Sequence, residues 1–153
     1  MRLTYVHDHR HGVAEWQRRD IYEWLTDIFE VPQIVLQRRC TPDIRRHIAG
    51  EFERNGWALD VKLDQELGLT VFAMKDDLAF QLQTGNMSRA PYDLLKLQYL
   101  YSAGRIQCAA LALPTKEAAN AIGDNIANAE RLANELNLFE RVISVPMMLI
   151  AFE

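Results

Sequence analysis

Cysteine is scarce in this sequence, with only Cys40 and Cys108 among 153 residues. The two are far apart and form no CxxC pair, which argues against a zinc site. Cys108 sits in the apolar stretch from Ile106 to Leu113 and reads as a core thiol. No run of eighteen apolar residues occurs, so nothing in the chain reads as a membrane span. The opening residues, MRLTYVHDHRHG, lack the apolar stretch of a secretion signal. A cytoplasmic location is therefore the expectation. No Gly-x-Ser-x-Gly elbow is present, so no serine triad can be argued. Gly85-Asn86 is too short for a phosphate-binding loop and lacks the Lys-Ser/Thr ending. Positive charge is not in excess: 17 Lys and Arg stand against 21 Asp and Glu, a net charge of -4. That balance argues against a wholly basic nucleic-acid coat and leaves room for a local basic groove.

What is present fits one globular domain. Apolar residues make up 49% and charged residues 25% of the chain, the balance of a packed core with a solvated surface. A chain of this size buries roughly two-thirds of its unfolded surface and needs no staples. A single domain over 1–153 is expected, with an N-terminal helical part at 1–55 and a sheet core at 56–153. Arginine pairs occur at Arg18-Arg19, Arg38-Arg39 and Arg45-Arg46. Such pairs read as solvated helix faces or as donors toward phosphate.

The periodicity changes along the chain. Met1 to Val6 reads as an edge strand. Trp16, Ile21, Trp24, Leu25 and Ile28 recur at helical spacing, predicting one helix over Ala14 to Phe29. Thr41-Pro42-Asp43 opens a second helix, since Thr is a good N-cap and Pro suits the first helical position. Its apolar stripe is Ile44, Ile48 and Phe52, and Gly56 suits the left-handed residue after its end. Trp57, Leu59, Val61 and Leu63 then alternate with polar residues, which is strand spacing. Strands over Leu67 to Met74 and Leu78 to Thr84 complete an antiparallel meander. A helix over Pro91 to Ala103, an apolar strand over Ile106 to Leu113, a helix over Lys116 to Leu136 broken near Gly123, and a strand over Val142 to Phe152 follow. The fold class predicted is α/β, a mixed sheet covered by helices on both faces.

The stretch Lys75-Asp76-Asp77-Leu78-Ala79-Phe80-Gln81-Leu82-Gln83-Thr84-Gly85-Asn86 is similar to the catalytic strand of BglII-type restriction endonucleases. There the strand reads Glu-x-Gln and ends in a short Gly/Ser-Asn turn. Pro91 to Gln98 resembles the helix after that turn. Ala109 to Lys116 resembles the apolar strand that comes next, and Val145 to Ile150 the closing strand. The resemblance spans about residues 56–152, and its specificity lies in the order and spacing of the four pieces. It implies the restriction-endonuclease-like PD-(D/E)xK core, with a mixed five-stranded sheet. In that family an Asp and a Glu hold magnesium, which activates water and stabilises charge on phosphorus. Here the Glu position is Gln81 and the third motif position is Gln83. The preceding Asp falls near Val71 or Phe72, both apolar. A neutral amide cannot supply the charge that draws a dehydrated magnesium ion. The resemblance therefore implies a scaffold that has lost metal-dependent cleavage and acts by binding DNA or a protein partner. No cofactor is expected, and magnesium only if cleavage is retained.

Two other readings stay open at this level. Asp60 and Lys62 share one face of a strand and mimic an acid-x-Lys half-motif, so a displaced acid (Asp60, Asp64 or Asp77) would make the chain an active endonuclease. The acidic balance also suits an immunity or phage-defence protein, with Trp16, Trp24 or Tyr22 as anchors. Asn86, Ser88, Arg89 and Lys96 are the expected DNA-contacting residues beside Gln81 and Gln83. His7, His9 and His11 alternate and are weak candidates for a transition-metal site. His47 reads as a surface or interface residue. Enzymes of this fold commonly dimerise, which points to the first two helices as a homodimer surface.

Overall fold

The computed structural model describes all residues from Met1 to Glu153. One mixed sheet organises the chain, in the order β1 (Leu3–His9), β6 (Met147–Phe152), β5 (Cys108–Pro114), β4 (Leu78–Leu82), β3 (Thr70–Lys75), β2 (Ala58–Lys62). β4, β5 and β6 run parallel, while β1, β3 and β2 are antiparallel to their neighbours. β5 and β6 are buried at every position, as interior strands covered on both faces must be.

The sheet has six strands, not the five expected. The sixth is β1, which pairs with β6 along its whole length and extends the strand expected at Met1 to Val6 through the histidine segment to His9. The part at 1–55 is thus helical apart from one edge strand of the sheet.

Three helices cover one face: α1 (Gly12–Arg18), α2 (Tyr22–Asp27) and α3 (Thr41–Arg54). The single helix expected over Ala14 to Phe29 is two, because Asp20 takes a left-handed backbone with φ 55° that a helix cannot contain. Asp is among the few side chains that adopt this conformation readily. Arg19, just before the break, bonds Glu15 and Asp77. The core under these helices is aromatic. Phe52 lies 4.4 Å from Phe80 and 4.9 Å from Trp57, and Trp57 stacks on Trp16 and Trp24. The buried Trp16 indole donates to the Ala109 carbonyl at 3.0 Å, which fixes α1 on the centre of the sheet.

Gly12, at the start of α1, lies against the backbone of Met147 in β6, where a Cβ would meet main-chain atoms. Trp16 is fully buried, and Trp24 and Tyr22 pack against the core. The aromatic anchors expected to face a partner therefore point inward. The exposed large apolar side chains lie elsewhere, among them Tyr92, Leu95 and Tyr99 on a later helix.

The opposite face carries α4 (Ala90–Ser102) and α6 (Ala129–Leu138), with α5 (Lys116–Ile122) leading into α6. The helix expected over Lys116 to Leu136 does break at Gly123. Thr115 and Asn128 cap the two pieces by accepting from Ala118 and Arg131 amides. The second meander strand starts at Thr70 rather than Leu67, because Gly68 takes φ 64° and Asp64 folds the preceding loop by accepting from the Glu66 and Leu67 amides.

His9 is buried and its Nε2 bonds the Ile143 carbonyl at 2.8 Å. Burial holds its pKa below the ordinary value of 6.5. The unfolded chain then takes up this proton at higher pH than the folded one, so the stabilisation is full above about pH 6.5 and declines as pH falls below it. Melting temperature is expected to drop between pH 7 and pH 5. The drop should be smaller in His9→Gln, whose amide can still donate to Ile143 but does not titrate. Equal drops in the two proteins would show that His9 is not responsible.

Candidate functional site

A cleft of about 900 Å³ opens at the C-terminal end of β4. Its walls are the start of α3, the β2–β3 loop, the turn after β4 and the first turns of α4. Parallel strands end here and the next helix begins, so the cleft sits where α/β sheets commonly place ligands. Its lining includes Gln81, Gln83, Asn86, Arg89 and Lys96 from the expected site, together with Arg45 and Asp60. Lys62 and Ser88 do not line it.

At the floor lies a carboxylate that periodicity alone did not single out. Asp93, 3% exposed, occupies the first turn of α4 and points under the end of β4. Its Oδ1 accepts from Gln81 Nε2 at 2.9 Å and from Lys96 Nζ at 2.6 Å. Its Oδ2 accepts from Gln83 Nε2 at 2.5 Å. Each glutamine uses its other end on the backbone: Gln81 Oε1 accepts from the Phe72 amide at 2.9 Å, and Gln83 Oε1 from the Gly85 amide at 2.7 Å. Lys96 also donates to the Thr70 carbonyl at 3.0 Å. Alternation along β4 puts Gln81 and Gln83 on one face, and the first turn of α4 brings Asp93 beneath both.

This network fixes the orientation of both amides. A carboxylate only accepts and a backbone N–H only donates, so each glutamine has one arrangement that satisfies all its partners. Buried polar groups hold their place when every member is paired. Here every donor turned toward Asp93 belongs to an amide or an ammonium.

The pairing of β3 with β4 runs to Ala73 opposite Phe80, and beyond it the Phe72 amide donates to the Gln81 side chain. The Phe72 ring packs against Phe52 and Phe80, and the Arg45 guanidinium lies 4.8 Å from its centre. A cation over an aromatic face is attracted by the ring quadrupole.

The acids proposed from sequence do not converge. Asp60 lies on the cleft rim, where its side chain is 73% exposed and 3.8 Å from Arg45. Its backbone takes φ 47°, an interruption in β2 that alternation did not foretell. Asp77 sits at the other end of β4, paired with Arg19 and separated from Gln81 by roughly 13 Å of strand at the usual rise. Asp64 folds its own loop, and its bonds from the Leu67 and Glu66 amides hold its pKa below the ordinary value.

His7, His9 and His11 do not gather around a common point. His9 is committed to Ile143, while His11 precedes α1 in a left-handed conformation. His47 bonds the Ile28 carbonyl at 2.8 Å. The remaining arginine pairs are spoken for in part: Arg18 bonds Glu15 and Arg46 bonds Asp43.

These residues do not fit magnesium. The carboxylates lining the cleft are Asp60 and Asp93, the first solvated on the rim and the second taken by Lys96. Nowhere do three or more His, Cys, Asp or Glu side chains form a group able to hold a metal ion. Magnesium requires hard oxygen ligands, carboxylates foremost.

The sequence matches the family described as restriction endonuclease BglII/BglIII over residues 4–152. Among solved structures, restriction endonuclease BglII complexed with a DNA 16-mer superposes with a TM-score of 0.84 at 13% identity, covering 100% of this chain and 78% of that one. Free BglII gives 0.75 at 13% identity, covering 100% and 80%. No curated protein matches the sequence. No helix is long and apolar enough to cross a membrane.

Asp93→Asn removes the negative charge that pairs with Lys96 and turns one of the two oxygens that accept from Lys96 and the glutamines into an NH2 donor. Taking one partner from a buried ion pair is expected to cost about 3 kcal/mol, read as a lower midpoint in urea unfolding. A change under about 0.5 kcal/mol would show that the network does not hold α4 on the sheet.

Proposed function

The chain belongs to the BglII/BglIII restriction endonuclease family, and from that membership we propose that it holds DNA in its cleft without magnesium-dependent cleavage. One observation carries the second half of this reading: the two motif positions bear neutral amides, each held by Asp93 and by a backbone N–H. Cleavage in this fold needs an ion that offsets charge on phosphorus, and neither Gln81 nor Gln83 carries the negative charge that would hold one.

The first half rests on fold, membership and local charge. The whole chain is acidic, yet the cleft lining carries Arg45, Arg89 and Lys96 against Asp60 and Asp93. The sign is inverted where a phosphate backbone would lie. Arg89 is the freest of these cations, exposed and without an ion-pair partner within 4.0 Å. It stands beside Asn86 on the 3-10 turn Met87–Arg89 that leads into α4. Arg89 is the phosphate contact, and Arg45, on α3 across the cleft, is the second. Asn86 is less available, since its Oδ1 accepts from the Ser88 amide and the Asn125 side chain. Gln81 and Gln83 shape the floor and do not read bases.

A cleaving enzyme with a displaced acid is the second reading, favoured by the presence of Asp60 on the rim. With Asp64 and Asp77 elsewhere, it reduces to that residue alone.

Gel-shift titrations over 50–200 mM salt are expected to show binding to duplex DNA that weakens steeply as salt rises. Plasmid incubated with magnesium or manganese should stay supercoiled. Absence of any salt-sensitive shift would remove the DNA reading. A nick that disappears in Asp60→Asn would establish the second reading in its place.

Arg89→Ala should weaken binding to all duplexes alike and lower the salt slope by about one unit. An unchanged slope would place the phosphate contact elsewhere.

A further inference from the structure

The donor set around Asp93 is hostile to a divalent ion in a specific way. A metal seated on this carboxylate would meet the NH2 groups of Gln81 and Gln83, since both amides turn their Nε2 toward Asp93. Presenting oxygen instead requires each amide to flip, which breaks the bonds from the Phe72 and Gly85 amides. The metal would also have to displace an ammonium that already bridges the Asp93 carboxylate and the Thr70 carbonyl. Lys96 is 12% exposed in its side chain and Asp93 5%, so withdrawing either charge leaves the other with little water to replace it.

We infer that the Lys96 ammonium is the resident cation of the cleft, taking the place of a metal ion by bridging a carboxylate and a backbone carbonyl. The two oxygens it joins are hard ligands of the kind that magnesium and calcium select. The fit is to a single charge: one ammonium against one carboxylate, with two neutral amides donating to that carboxylate. Gln81 follows from this arrangement. A Glu at that position would place a second carboxylate against Asp93, where the ammonium can neutralise only one of them. Like charges at this range cannot both stay ionised without a further cation or a proton. Lys96 is thus a positioning residue, holding Asp93 and through it both glutamines.

The inference rests on the reading that the cleft works without metal, and its test is separate from DNA binding. Manganese binding to the full chain is measured by electron paramagnetic resonance of the free ion. The unmodified protein is expected to leave manganese free. Gln81→Glu combined with Lys96→Met should bind manganese at least about tenfold more tightly than Gln81→Glu alone, a difference of roughly 1.4 kcal/mol. Tight uptake by the unmodified protein would overturn the inference, as would a folded double variant no better than Gln81→Glu. Circular dichroism establishes folding of both variants.

Should the double variant not fold, nitrogen-15 spectra of the lysine side chains decide. The inference expects a slowly exchanging Lys96 ammonium signal, assigned by its loss in Lys96→Arg, that manganese leaves unbroadened. Absence of a protected signal, or selective broadening by manganese, would overturn it. A normal gel shift beside either failure would leave the DNA reading standing. Loss of the shift with the ammonium result intact would remove DNA binding alone.

Discussion

The Asp93 carboxylate is the constraint on which the cleft depends. It is buried, and a buried charge survives only when paired and hydrogen-bonded. Lys96 supplies the opposite charge, and Gln81 and Gln83 supply the remaining donors. Each of these partners reaches onward to the main chain, at Thr70, Phe72 and Gly85. One side chain on α4 therefore ties down the end of β4, the start of β3 and the turn that follows β4. The result is a cleft floor that is polar in composition and closed in hydrogen bonding.

The surroundings of that floor separate two kinds of charge. Pairs at the edges of the molecule, such as Arg18 with Glu15 or Arg46 with Asp43, are exposed in geometry and contribute little to stability. The charges around the cleft are arranged differently. Arg45 lies over the Phe72 ring and only 3.8 Å from the solvated Asp60. Arg89 projects from the turn before α4. The acidic net charge of the chain gives no hint of this, because a global sum carries no position.

Much of the architecture was legible from residue spacing. The stripe Ile44, Ile48, Phe52 lies where expected, but the alternation from Trp57 to Leu63 switches faces at Asp60: Trp57 and Leu59 pack into the core under α1 to α3, Val61 and Leu63 into the core on the other side. The split between α1 and α2 was not legible. Asp20 interrupts a continuous apolar periodicity through its own backbone, which periodicity does not register. The sixth strand was half visible: Met1 to Val6 read as an edge strand, but the polar histidine segment hid its continuation. The shared face of Gln81 and Gln83 followed from the alternation, while their partner did not. A signal for Asp93 existed. Ala90, Asp93, Leu94, Leu97 and Leu100 are the buried positions of α4, and Asp93 falls on that apolar stripe at helical spacing. An acid on a core stripe with Lys three residues later is a buried pair rather than a surface one.

The fixed amide orientations impose epistasis on the cleft. Substituting Gln81 alone with an acid meets Asp93, and neutralising Asp93 alone strands the Lys96 ammonium. Altering Lys96 alone leaves a lone buried anion. Each of these three single steps is expected to lower stability before any new chemistry is reached. A lineage carrying this cleft is therefore confined to a local peak, and laboratory selection for hydrolysis would have to begin from libraries that vary positions 81, 93 and 96 together.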